Sequence, residues 1–291
     1  MKHLFILAIF SSLGGTAIAQ GPPPPDTTRY PYLRNRIREE TLLLKVDSGN
    51  INHYLALGYY RMQMLDYAAS VDDNTHAIML DSTNSDAYSN RGMARCFMKK
   101  YKEAMPDLTK AIQLDPKDPM GYLNRAYAET ESGDERKGIA DLDTAIQLKP
   151  DYAKAYCNRG MAKRQLQLLR AAIQDFSQAV RYNPDYMEAY YNRARTYADL
   201  KDWNAALADF NKAIELNPDF PFAYTGRALI KEAFKDYSGA ITHQLTPTPN
   251  LPSPSPNSAA AALLSLTVNP TLSFISGSCP STFAYTLFPV A

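Results

Sequence analysis

Cysteine is scarce in this chain, and what there is sits badly for bridging. Cys96, Cys157 and Cys279 follow no framework interval, which excludes a small domain stapled by disulfides. Histidine is equally sparse: four residues lie far apart and none shares a helix turn with a second ligand, so no metal site is expected. An excess of one charge is missing too. Set aside Lys2 in the leader described below, and 30 basic side chains face 30 acidic ones. That balance gives no electrostatic case for nucleic acid or an anionic membrane. Apolar runs long enough to cross a bilayer are absent, since residues 4–10 and 259–268 are both too short, and no stable membrane insertion is expected. No Gly-rich phosphate loop, nucleophile elbow or paired catalytic carboxylate stands out. The chain therefore reads as non-enzymatic, with no cofactor.

What it has instead is a metre. Residues 151–185 carry landmarks that return every 34 residues on both sides. Asn158-Arg159-Gly160 is matched by Asn90-Arg91-Gly92, Asn124-Arg125-Ala126, Asn192-Arg193-Ala194 and Gly226-Arg227-Ala228, and Pro184 by Pro116, Pro150 and Pro218. Within each period apolar and small positions fall twice at helical spacing, with a break near Gly133 or Lys201-Asp202. This predicts a helix, a tight turn and a second antiparallel helix. The first helix has an aromatic at its fourth position (Tyr54, Tyr88, Tyr122, Tyr156, Tyr190, Tyr224). Four residues on comes a small side chain (Gly58, Gly92, Ala126, Gly160, Ala194, Ala228). Large beside small on one helix face reads as interhelical packing. The second helix repeats the logic with Ser70, Ala104, Gly138, Ala172, Ala206 and Ala240, then Ala77, Ala111, Ala145, Ala179 and Ala213.

This pattern resembles the tetratricopeptide repeat, with its aromatic at the fourth position, small residue at the eighth, alanines at the twentieth and twenty-seventh and proline at the thirty-second. The match spans 51–241, in units 51–84, 85–118, 119–152, 153–186, 187–220 and a truncated 221–241. The resemblance implies an all-α, right-handed solenoid of antiparallel helix pairs. Unit 1 departs from it with Ser82 in place of proline, and Pro106 falls inside a second helix, where a slight kink is expected.

The ends differ in composition. Residues 1–19 show Lys2, the apolar run 4–10 and Ala17-Ile18-Ala19, the layout of a secretory signal cleaved after Ala19, so export to the periplasm or the extracellular space is expected. Residues 20–50 hold a polyproline linker at 21–26 and, over 34–46, a helix using Leu33, Ile37 and Leu44 to cap the first repeat. From Gln244 to Ala291 no charged residue occurs. The tail 242–291 reads either as a disordered Pro/Ser/Ala-rich segment or as a change of reading frame.

Two further ladders run in phase. Arginine holds the seventh position in Arg91, Arg125, Arg159, Arg193 and Arg227, and aspartate the twenty-third in Asp73, Asp107, Asp141, Asp175 and Asp209. Pairing within units would leave Asp73 against Leu57 and Arg227 against His243, whereas pairing each Asp with the next unit's Arg leaves nothing over. An unpaired half-buried charge is costly, so five inter-repeat ion pairs are expected. The second ladder is Asn90, Asn124, Asn158 and Asn192 at position six. The resemblance implies that this position lines a concave groove where amides hold an extended peptide by its backbone. The same ladder is open to a plainer reading, in which asparagine is simply common at that position. Flanking candidates are Met93, Tyr127, Met161, Tyr191 and Arg195, open to a packing role as well. Position five lacks the lysine of chaperone-binding relatives, which disfavours an acidic C-terminal tail as ligand. The reading is a scaffold for a protein or peptide partner. Its alternatives are self-association through the unfinished last repeat and a regulatory subunit cut from a larger enzyme.

Overall fold

The structure, a computed structural model, describes the backbone of residues 30–245 and side chains through Lys235. The leader at 1–19, the linker at 21–26 and the tail beyond Leu245 lie outside the described residues. Every element among the described residues is a helix. After α1 (Pro31–Val46), five hairpins follow: α2–α3 (Ile51–Gln63, Tyr67–Leu80), α4–α5 (Ser85–Phe97, Tyr101–Leu114), α6–α7 (Pro119–Glu131, Glu135–Leu148), α8–α9 (Ala153–Gln165, Leu169–Tyr182) and α10–α11 (Met187–Asp199, Trp203–Leu216). A single α12 (Pro221–Leu245) ends the series.

Local chemistry sets these boundaries. Side chains of Asn50, Asn84 and Asp118 accept backbone N–H groups at the starts of α2, α4 and α6, and Asp66, Asp134 and Asp202 do so for α3, α7 and α11. Each cap satisfies donors that a helix leaves unpaired at its first turn. Each hairpin turns on one residue in the left-handed region: Leu65, Lys99, Gly133, Gln167 or Lys201. Only Gly133 adopts that conformation without a steric penalty. Pro106 lies within α5, which continues through it as one helix.

Packing within a hairpin sets a small residue of the first helix against a large one of the second. A Cβ placed on Gly160 would lie 2.8 Å from Phe176 Cε1, so the ring fills the space the missing side chain leaves. Phe176, Phe210, Leu108 and Leu142 are fully buried at this position. Unit 1 differs. Asn74 takes the place, donating to Ser70 O at 2.8 Å, while Ser70 Oγ donates to Gly58 O at 2.7 Å.

Neighbouring first helices approach one another (α2 with α4, α4 with α6, α6 with α8, α8 with α10), whereas second helices of adjacent units make no such contact. First helices therefore form the crowded inner wall and second helices the splayed outer one. α1 packs on α2, with Leu33, Ile37 and Leu44 half-buried and polar bonds beside them. Buried Glu40 takes His53 Nδ1 at 2.7 Å, and Arg36 donates to Glu40 and to the Tyr60 hydroxyl.

Unit 6, expected as a truncated 221–241, continues as a single helix where the other units turn. Lys235, which stands at the turn position, lies inside α12, and the helix runs on to Leu245. The twenty-fourth position of this unit is Gln244, where the units from 2 to 5 have leucine or phenylalanine.

The turn geometry makes a direct test. Gln167→Gly relieves a left-handed non-glycine residue and should stabilise the chain by about 0.5–1 kcal/mol, read as a higher urea midpoint. The same change at Gln165, inside α8, should lower it.

Candidate functional site

The antiparallel hairpin brings position seven of the first helix against position twenty-three of the second. Arg125 Nε donates to Asp141 Oδ2 at 2.7 Å and Nη2 to Asp141 Oδ1 at 2.8 Å. The same two-pronged bond joins Arg91 to Asp107, Arg159 to Asp175 and Arg193 to Asp209. The expected inter-repeat pairing of Asp73 with Arg91, Asp107 with Arg125, Asp141 with Arg159, Asp175 with Arg193 and Asp209 with Arg227 is therefore wrong. Its premise was that pairing within units strands two charges, and neither is stranded. Asp73 receives Arg61 Nη1 at 2.8 Å from one turn further along α2. Arg227, in the last unit, donates to Asn211 Oδ1 at 2.8 Å.

The link between units exists all the same, with other acceptors. In four units the remaining Nη1 of the guanidinium reaches back to position twenty-five of the preceding unit: Thr75 for Arg91, Asp143 for Arg159, Ser177 for Arg193 and Asn211 for Arg227. The tyrosine at position four completes the arrangement. Its ring lies 5.3–5.6 Å from the guanidinium carbon in Tyr88–Arg91, Tyr156–Arg159, Tyr190–Arg193 and Tyr224–Arg227, a favourable cation–π distance. A planar group with five donors can serve two helices and a ring face at once.

A row that the sequence reading overlooked lies at position eleven. Arg95 and Lys163 give Asp107 and Asp175 a second cation, and Arg61 supplies the cation for Asp73. Unit 3 has Glu129 there instead. The row was visible in phase and could have been found by tracing every position of the repeat. Burial pushes the Asp73 carboxyl up to about 6 against the pull of Arg61.

On the inner wall the asparagines share one register but not one environment. Asn124 and Asn192 are each only 4% exposed. Asn124 Nδ2 donates to Ser89 Oγ of the preceding unit at 2.9 Å, and Asn192 Nδ2 to Glu188 O of its own helix at 2.9 Å. These two amides serve the fold and do not face a groove. Asn90 and Asn158 stay half-buried, and among the described residues neither has a side-chain hydrogen bond. The neighbour explains the difference between Asn124 and these two. Position five of the preceding unit is Ser89 for Asn124 but Leu55 for Asn90 and Leu123 for Asn158, and leucine offers no acceptor.

Met93 is fully buried and belongs to the core, which removes it from any binding surface. Tyr127, Met161, Tyr191 and Arg195 are half-buried on the wall. Tyr127 meets Phe97 at 6.2 Å, which in turn stacks on Tyr67 at 5.2 Å. Tyr191 meets Phe220 edge-on at 5.0 Å and lies under the Arg195 guanidinium at 5.6 Å. Arg164 of unit 4 bonds Asp199 of unit 5 across the wall at 2.7 Å, a link the sequence reading missed. The surface thus offers two amides among aromatic, thioether and guanidinium groups.

Burial pushes the Cys96 thiol up to about 12, which keeps it an unreactive core residue. Among the described residues no three His, Cys, Asp or Glu side chains gather to hold a metal, and no helix is long and apolar enough to cross a membrane.

Comparison with known proteins bears on the fold. The family description "Tetratricopeptide repeat" matches residues 85–118 and 188–220, and "TPR repeat" matches 161–201. No curated protein matches the chain. Among solved structures, TTC0263, a thermophilic TPR protein in Thermus thermophilus, is similar with a TM-score of 0.55 at 19% identity, over 62% of this chain and 98% of that one. YrrB, a TPR protein with an unusual peptide-binding site, gives a TM-score of 0.48 at 20% identity, over 66% and 99%. MamA gives 0.48 at 20%, over 58% and 92%.

The ion pairing is testable by double-mutant cycles. Arg125 should couple to Asp141 by about 1–3 kcal/mol and to Asp107 by close to zero. Arg159→Ala, which strips partners from Asp175 and Asp143, should destabilise by about 2–3 kcal/mol, and Arg227→Ala, whose bond is exposed and to a neutral amide, by less than about 0.5 kcal/mol, both read by urea unfolding.

Proposed function

Taking the chain as the solenoid of tetratricopeptide repeats it is, we propose that it serves as a non-enzymatic interaction scaffold whose inner wall takes an extended peptide segment. The observation that carries this is the pair Asn90 and Asn158. Each is a half-buried amide on the inner wall with donor and acceptor both unspent among the described residues. A primary amide can meet the C=O and N–H of a strand without regard to its side chains. Between the two lies Tyr127, and beside Asn158 stands Met161, both apolar but adaptable, which suit a peptide carrying some greasy residues. Beyond them Tyr191 and Arg195 add an aromatic face and a charge. The mechanism is passive: a rigid wall presents its groups in advance, so little order is lost on binding.

Export forms part of the proposal, supported by Lys2, the apolar run 4–10 and Ala17-Ile18-Ala19, a secretory layout. A second reading, self-association, is favoured by α12. Its Phe222, Tyr224 and Phe234 are exposed.

Selection of a displayed library of random twelve-residue peptides on the full chain tests the main reading. Asn90→Ala with Asn158→Ala should weaken the selected peptides about 10- to 30-fold, two hydrogen bonds' worth, with the melting temperature unchanged. Asn124→Ala with Asn192→Ala should lower the melting temperature instead. Equal retention by wild type and the first double variant would remove the groove from the account.

A further inference from the structure

We propose that buried Glu129 carries a proton in the folded chain below neutral pH and that its ionisation loosens the α6–α7 hairpin, making unit 3 a pH-responsive joint of the solenoid. This is independent of peptide binding and rests on a reversal within the ion row.

In units 2 and 4 the aspartate at position twenty-three receives two cations, Arg91 and Arg95 on Asp107, Arg159 and Lys163 on Asp175. Unit 3 keeps the arginine, Arg125 on Asp141, but substitutes a carboxyl for the second cation. Two acidic groups then lie in the field of one guanidinium, which pairs with Asp141 alone, and both Arg125 donors that reach Asp141 are used on it. Glu129 is 7% exposed, and its Oε2 has no hydrogen-bond partner among the described residues. An ionised oxygen buried in that position has no donor to stabilise it, which is expensive. A proton resolves both problems at once, because it cancels the excess charge and fits where a hydrated cation would not.

The charged groups facing Glu129 are Asp141 and Lys137 on α7, Asp134 at its N-cap, and Arg125 on α6 itself. α5, which also packs on α6, has exposed Lys102 at the position equivalent to Ala68 beside Arg95. Burial, with Asp141 next, pushes the Glu129 carboxyl up to about 7, against the pull of Arg125. Because the folded chain holds this proton more tightly than the unfolded one, the stabilisation is complete below about pH 4.5 and is lost as pH rises through 7.

Thermal melts of the full chain from pH 5 to pH 8 test this, comparing wild type with Glu129→Gln, which cannot ionise, and Glu129→Lys, which restores the cation of units 2 and 4. The melting temperature of Glu129→Gln should equal that of wild type at pH 5 and exceed it by about 2–4 °C at pH 8. Glu129→Lys should also exceed wild type at pH 8. Amide exchange, corrected for its intrinsic pH dependence, should show α6–α7 of wild type losing protection relative to α8–α9 between these pH values, and no such loss in Glu129→Gln. An Asp73→Asn control should change its offset mainly below about pH 6, where that carboxyl titrates. A Glu129→Gln offset that is constant across the range, or a Glu129→Lys chain less stable than wild type at pH 8, overturns the proposal.

Discussion

A guanidinium at position seven ties this solenoid together. In unit 4 it uses Nε and Nη2 on the aspartate of its own second helix and Nη1 on the second helix of the unit before. Three helices therefore meet at one planar group whose donor directions are rigid. Apolar packing brings the helices together without choosing among sliding registers. Charged hydrogen bonds of fixed direction do choose, since a slip of one turn would leave a carboxylate buried and unpaired. The tyrosine ring beside the guanidinium shields it on one face, which explains why aromatic and arginine recur together.

The two exceptional units show how far the arrangement bends. Unit 1 has Leu57 in place of arginine, and Arg61 takes over from one turn along. Its core is polar as well, through Ser70 and Asn74. Unit 3 keeps the arginine but meets it with two carboxyls. Neither exception disturbs the hairpin geometry, because the large-on-small contacts and the helix caps are set independently of the ion row. The inner wall follows the same division: where the amide finds an acceptor within the fold it closes onto it, and where its neighbour is leucine it stays available to another molecule.

Much of this was legible in the order of residues alone. The 34-residue interval located all ten hairpin helices and the small-against-large contacts, because each depends on neighbours within one or two turns or on a simple periodicity. The partner of each arginine was not legible. Positions sixteen residues after it and eighteen residues before it are equally in phase, and only the antiparallel approach of two helices in space decides between them. Asn124 and Asn192 look identical to Asn90 and Asn158 in the repeat, yet the first two are closed off within the fold. Met93 and Met161 share a position and differ in burial.

Periodicity, then, determined the elements and their stacking, since a repeat that buries its faces only against its neighbours must return at a constant interval. Tertiary structure alone decided the pairing of charges and the exposure of the inner wall. Those depend on distances between side chains far apart in the chain, where a single hydroxyl or a single missing cation changes the outcome.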